Sequence, residues 1–177
     1  LTLTGDARTL FREGLAAEGE QKLPFTELLV PDTLTDRQAA GIIQGCWQNT
    51  LGASINVMPL AVDELWQRVY AGDYDMALLP LSDSTAMGLL EDFASDTDRY
   101  CTGWQSEEYD ALLDQAAAET GEQAVRTLAQ AEQLLLRSGV VLPLYTSMSY
   151  YAVSSEVQGA WIDPGEGVIY IKYITKS

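Results

Sequence analysis

Residues Gly72 to Phe93, GDYDMALLPLSDSTAMGLLEDF, contain the apolar run Met76-Ala77-Leu78-Leu79. The run is too short for a helix and is bounded by turn signals, so it predicts a strand, Tyr74 to Leu79, buried on both faces. Pro80 ends it, because proline cannot donate to a central ladder. Ser82-Asp83-Ser84-Thr85 follow, and then Met87, Leu90 and Phe93 recur at helical spacing. A buried strand thus delivers a polar loop to its carboxyl end. In open α/β sheets that edge is where ligands sit.

The segments before it repeat the pattern. Asp6 to Ala17 reads as a helix with Ala7, Leu10, Phe11 and Leu15 inward and Gly19 beyond its end. Phe25 to Val30 reads as a strand closed by Pro31-Asp32. Thr35 and Gln38 fit a capping box. Ala39, Ile42, Ile43, Cys46, Trp47 and Thr50 mark a helix that stops at Gly52, and Ser54 to Leu60 is the next strand. Val62, Leu65, Trp66, Val69 and Tyr70 return to helical spacing. Strand, helix, strand, helix, strand with short links predicts an α/β core with a largely parallel sheet, its strand order unreadable.

Downstream, Ser106 caps a helix carrying Tyr109, Leu112, Leu113, Ala116 and Ala117, with Glu107 and Glu108 at its positive end. Ala124, Val125, Leu128, Ala131 and Leu135 carry a second, ended by Gly139. Val140 to Tyr145 and Tyr150 to Val153 read as strands, Asp163-Pro164-Gly165 as a turn, and Val168 to Ile174 as a final alternating strand.

Composition narrows the chemistry. The chain has 177 residues, which suits one domain, and a net charge of −16, which disfavours nucleic acid and anionic membrane surfaces. It contains no histidine, which removes imidazole bases, ligands and triads. Cys46 and Cys101 form no zinc spacing, and whether they pair is left open. Asp92, Asp96 and Asp98 lack the alternation and glycine of a calcium loop and read as a solvated acidic face. The first strand is followed by Pro31-Asp32-Thr33, not by a glycine-rich phosphate loop. No metal or cofactor is expected. Asp83 with Ser82, Ser84 and Thr85 fits either a helix cap or a site for a cationic ligand. Trp47 and Trp66 sit at core spacing. Trp104 and Trp161 lie in loops, freer to meet a ligand, although packing is the commoner fate.

Five segments in order, "ARTLFREGLAAEG", "LGASINVMPLAVDELWQRVYAGDYDMALL", "CTGWQSEEYDALLDQA", "AEQLLLRSGVVLPLYTSMSYYAV" and "VQGA", together with the closing "VIYIKYITKS", resemble the carboxy-terminal lobe of the family 5 extracellular solute-binding proteins. These are the oligopeptide-, dipeptide- and nickel-binding receptors of ABC importers. The resemblance implies a periplasmic-binding-protein type II-like lobe, a mixed, mostly parallel sheet flanked by helices. It also implies a partner lobe outside this chain, a peptide or other small solute held between the lobes, an ABC permease as partner, and binding without catalysis. The location implied is extracellular or periplasmic, with a lipoprotein anchor in the full-length protein. A sensor or peptide-interaction module of the same fold is the alternative, and a carboxylate hydrolase a more distant one.

In peptide-binding members a carboxylate after the strand matching Tyr74 to Leu79 holds the peptide α-amino group. Counted back from "LLEDF", the family's aspartate falls on Ser82, one place before Asp83, and the family's tryptophan and following proline are missing. The resemblance therefore points to this loop for the anchor, with Asp83 or Ser82 in that role and Ser84 beside them. Tyr145 matches an aromatic segment that approaches the ligand, and Trp104 matches an aromatic position where packing is favoured.

Overall fold

The structure, a computed structural model, describes residues 5–146, 152–162, 169–170, 172 and 174–176. Helix α1 (Ala7–Ala17) starts at the Asp6 cap, whose carboxylate accepts from the Thr9 amide. It leans on the chain only lightly. Arg8 donates to the carbonyls of Thr50 and Asn49, and Leu10 remains exposed.

Strands β1 (Glu27–Pro31), β2 (Asn56–Leu60) and β3 (Met76–Ala77) form a parallel sheet in the order β2-β1-β3. The parallel sheet expected from the alternating pattern is thus present, with the first strand at its centre. Burial follows from that placement. Leu28, Leu29 and Val30 are buried, whereas Met76 and Ala77, on an outer strand, are half-buried. The strand expected to be buried on both faces is therefore the neighbour of the buried one, and is shorter than Tyr74 to Leu79. The first strand also starts later than Phe25, which is 77% exposed.

The period of two along β1 divides the core. Leu28 and Val30 face Ala40, Ile43 and Trp47 of helix α2 (Leu34–Leu51). Leu29 faces the opposite cluster, built from Leu60, helix α3 (Val62–Tyr70), helix α4 (Ala86–Glu91), helix α5 (Glu107–Ala118) and helix α6 (Glu122–Ser138). Each fully buried aliphatic side chain contributes roughly 1.5–3 kcal/mol. Helices thus cover both faces, which is why β1 reads as a continuous apolar run.

Several ends are as expected. Gly52 and Gly139 close α2 and α6 in the left-handed region (φ 73° and 78°), and the Ser106 hydroxyl caps α5 through the Tyr109 amide. Other details differ. The α2 cap is Thr33, whose hydroxyl accepts from the Asp36 amide, in place of the box at Thr35 and Gln38. Ile42 and Cys46 point outward, because the inner stripe runs through Ala40, Ile43 and Trp47. Val125 is likewise exposed, and Thr127 takes the inner place.

Residues 140–146 form no strand, although Val140 and Val141 pack on the larger cluster. Ala152 and Val153 are also irregular, and Tyr150 lies outside the described residues. The single final strand is divided. Strand β4 (Val157–Gln158) pairs with β7 (Thr175–Lys176), and β5 (Trp161–Ile162) pairs with β6 (Ile169–Tyr170), both antiparallel. The Asp163-Pro164-Gly165 turn lies outside the described residues. Among the described residues no helix is long and apolar enough to cross a membrane.

Candidate functional site

Two prolines lie at the carboxyl edge of the sheet. The amides of alternate β1 residues turn to opposite neighbours. The Asp32 amide closes on the carbonyl of Leu60, the last residue of β2 (2.8 Å), whereas the Leu29 carbonyl accepts from Leu78 beyond β3 (2.8 Å). The next two bonds toward β3 would come from the nitrogens of residues 31 and 80, and both are proline. The Pro31 carbonyl is taken instead by the Thr33 amide (2.8 Å). Pairing stops after Leu78, and the chain leaves the sheet as an exposed loop through Ser82, Asp83, Ser84 and Thr85.

Within that loop Asp83 is the organising group. One carboxylate oxygen, Oδ1, accepts from the Thr85 amide (2.9 Å), the Thr85 hydroxyl (3.3 Å) and the Ser84 hydroxyl (3.4 Å). The Thr85 amide above all, then the two hydroxyls, holds the Asp83 carboxyl below the usual carboxylate range. The helix cap proper is Thr85, whose hydroxyl accepts from the Gly88 amide (3.0 Å). Asp83 thus braces the cap from two places outside it. Its second oxygen, Oδ2, takes no part in these bonds. A Cβ at Gly88 would overlap the Asp83 carboxylate, so this contact needs glycine inside α4. The only trace in the sequence is an isolated glycine in a helical pattern, which does not say what that glycine meets.

Beside the loop, the end of β1 presents Asp32, which pairs with Arg37 in the first turns of α2. Both are about half exposed. Spacing alone did not single out this pair, since it joins a strand end to the following helix. The carboxyl edge is an open face. Two depressions lie at the opposite end of the sheet. One, of about 320 Å³, is lined by Phe25, Glu27, Arg68 and Asp73 to Asp75. The other, of about 560 Å³, lies over Leu23, Pro24, Gln44 and Asn56.

The remaining candidates separate. Trp104 is half-buried and meets Tyr109 edge-on (5.0 Å, 65°). Tyr109 in turn donates to the Leu90 carbonyl (2.8 Å) at the far end of α4, so Trp104 belongs to the core beneath that helix. Tyr145 is 56% exposed in the irregular segment, and among the described residues no hydrogen bond joins it to the loop. Trp47 and Trp66 pack as expected, and Trp161 stands exposed against Tyr170 (4.9 Å).

Of the acidic trio only Asp96 is exposed as a solvated face would be, and Asp92 and Asp98 are half-buried and hydrogen-bonded. The Asp92 side chain is 13% exposed, paired with Arg99 (3.2 Å) and accepting from the Tyr100 hydroxyl (3.2 Å). Asp98 accepts from the amides of Thr102 and Gly103, both at 2.9 Å. Cys46 and Cys101 are free and exposed.

This architecture is similar to that of known binding proteins. No family model matches the chain. The dipeptide-binding protein DppE of Bacillus subtilis is 27% identical over 179 aligned residues, covering 97% of this chain and 32% of that protein. The chain is therefore similar in sequence to a dipeptide-binding protein. The substrate-binding domain of an oligopeptide ABC transporter from Bacillus anthracis matches with a TM-score of 0.82 at 21% identity, over 97% of this chain and 34% of that one. The Listeria monocytogenes OppA bound to peptide matches with a TM-score of 0.78 at 19% identity, over 97% and 33%. These structures show the fold, a periplasmic-binding-protein-like α/β arrangement with helices on a parallel sheet. The chain spans about a third of the length of the relatives it matches.

Proposed function

We propose that this chain is the carboxy-terminal ligand-binding lobe of a substrate-binding protein that presents peptides to an ABC-type permease. It binds without catalysing a reaction. The reading places it on the extracellular or periplasmic side, tethered as a lipoprotein in the full-length protein. The ligand lies against the carboxyl edge of the sheet, between this lobe and an amino-terminal one. Asp83 anchors a peptide α-ammonium through its Oδ2 atom, Ser82 and Ser84 add hydroxyl contacts, and Tyr145 offers an aromatic wall. Trp104 supports the helix behind the loop.

One observation carries the proposal: an ionised, exposed carboxylate is held in place on the carboxyl edge of a lobe whose relatives include peptide-binding proteins. The test is calorimetry on the full-length protein with tri-alanine as probe. Asp83→Ala is expected to weaken binding by about tenfold or more, the loss of a charge-assisted contact, with little change in thermal stability. Unchanged affinity together with lost stability would reduce Asp83 to a turn former.

A further inference from the structure

We propose that Pro31 and Pro80 are positioning residues for the Ser82–Thr85 loop: between them they delete the bonds that would zip the loop's stem onto the central strand. This rests on the reading of the carboxyl edge as the binding edge.

The register fixes which bonds are missing. Leu28 pairs with Met76 and Leu29 with Ala77, so residue 31 faces residue 79. In a parallel ladder the residue 31 amide would donate to the Leu78 carbonyl, and the residue 80 amide to the residue 31 carbonyl. Neither amide exists. On the other side of β1 nothing is interrupted, and pairing with β2 runs through Pro31 to Leu60, because there the Asp32 amide is the donor.

Pro59 is a useful contrast. The Asn56 amide donates to the Thr26 carbonyl, so alternation turns the residue 59 nitrogen away from β1, where its missing hydrogen removes no bond to that strand. The other two prolines fall where the ladder would advance. If the ladder continued, Leu79 and Pro80 would lie flat against Pro31, and the stem of the loop would be drawn toward the Asp32–Arg37 corner. Cut short, the chain is free to turn, and its direction is set by Asp83 holding the Thr85 amide.

The test uses the chain with Pro31→Ala and Pro31→Ala/Pro80→Ala, read by amide hydrogen exchange and by NMR titration of Asp83. The new amide at residue 31 is expected to exchange at least about tenfold more slowly than an unstructured amide, with that at residue 80 slowed in the double variant. The Asp83 titration is expected to move toward the ordinary range as its contact with Thr85 is disturbed. The Leu78 amide reports whether the sheet is intact. Free exchange at residue 31 with Leu78 protected would overturn the inference, and so would protection that leaves the Asp83 titration where it was. Failure of the unmodified full-length protein to bind tri-alanine would instead count against the function proposed above, and the exchange result would still decide the ladder.

Discussion

Removing one oxygen, by Tyr109→Phe, tests how the helix behind the loop is held. Tyr109 is fully buried, and its hydroxyl donates to the Leu90 carbonyl at 2.8 Å. The ring stays in the variant, and with it the edge contact to Trp104. What remains unpaired decides the magnitude. A buried acceptor left without any donor costs about 1–3 kcal/mol. The Leu90 carbonyl keeps two others, the amides of Asp92 and Phe93. The loss is therefore expected at the low end, about 1–1.5 kcal/mol. For a chain of 177 residues this lowers the melting temperature by about 2–6 °C.

The variant also has a signature at high pH. Burial, with Asp110 adding to it, pushes the Tyr109 hydroxyl well above its ordinary range. A folded pKa above the unfolded one means that the contribution is complete below about pH 10 and is lost as pH climbs beyond that. Tyr109→Phe should therefore lose part of its alkaline destabilisation. The share due to Tyr100, pushed to about 12 mainly by burial and then by Asp92, should persist between about pH 10 and 12. Urea unfolding across that range measures both effects. A loss above about 3 kcal/mol would mean that the Leu90 carbonyl is stranded without its other donors, and an unchanged alkaline limb would mean that the hydroxyl is not buried as described.

Other expectations follow from the same geometry. Leu29→Ala, at a fully buried site on the central strand, should cost about 2–5 kcal/mol in urea unfolding. Gly88→Ala should displace the Asp83 carboxylate and leave the backbone of α4 in place. NMR should then find the Asp83 titration returned toward the ordinary range, and tri-alanine binding by the full-length protein weakened. The Glu119 carboxyl is held low by the Thr127 hydroxyl first and then by Gln115 and Gln123. Its contribution is present above the unfolded pKa of about 4.3 and disappears as pH falls through the folded value. Thr127→Val should raise the Glu119 titration and flatten the acid limb of the stability curve, and a Glu119 titration that stays put would refute the assignment.

What the sequence made legible was whatever is encoded locally. Gly52, Gly139 and Ser106 end or begin helices through bonds spanning a few residues, and each did so where expected. The parallel sheet was legible for a similar reason, since short links between alternating strands and helices leave few arrangements. Non-local choices were not. Ile42 and Ala40 are both apolar and lie two positions apart, and only the sheet beneath α2 decides which turns inward. The length of β3 depends on Pro31, whose partner lies 48 residues away in sequence by the register Leu28 to Met76. At the site, the loop and its carboxylate were legible. The coupling of Asp83 to Gly88 was not, nor was the Asp32–Arg37 corner, because both depend on how one element folds back against another.

The geometry of the carboxyl edge bears on what this chain does unaided. Asp83 is exposed, and an ion pair in full solvent gains about 0–1 kcal/mol. The hydroxyls beside it already bond to its own Oδ1 atom. An open edge of this kind orients a charged group well and holds it poorly, because water screens the charge and no apolar surface is buried. The same carboxylate becomes far more effective once a second surface excludes water, since screening falls while the positioning bonds from Thr85 and Ser84 are already formed. On the proposed function, then, the isolated chain should show tri-alanine binding too weak for calorimetry at micromolar protein. Micromolar affinity in the lone chain would mean that the grip lies elsewhere, and the depressions at the opposite end of the sheet would be the first place to look.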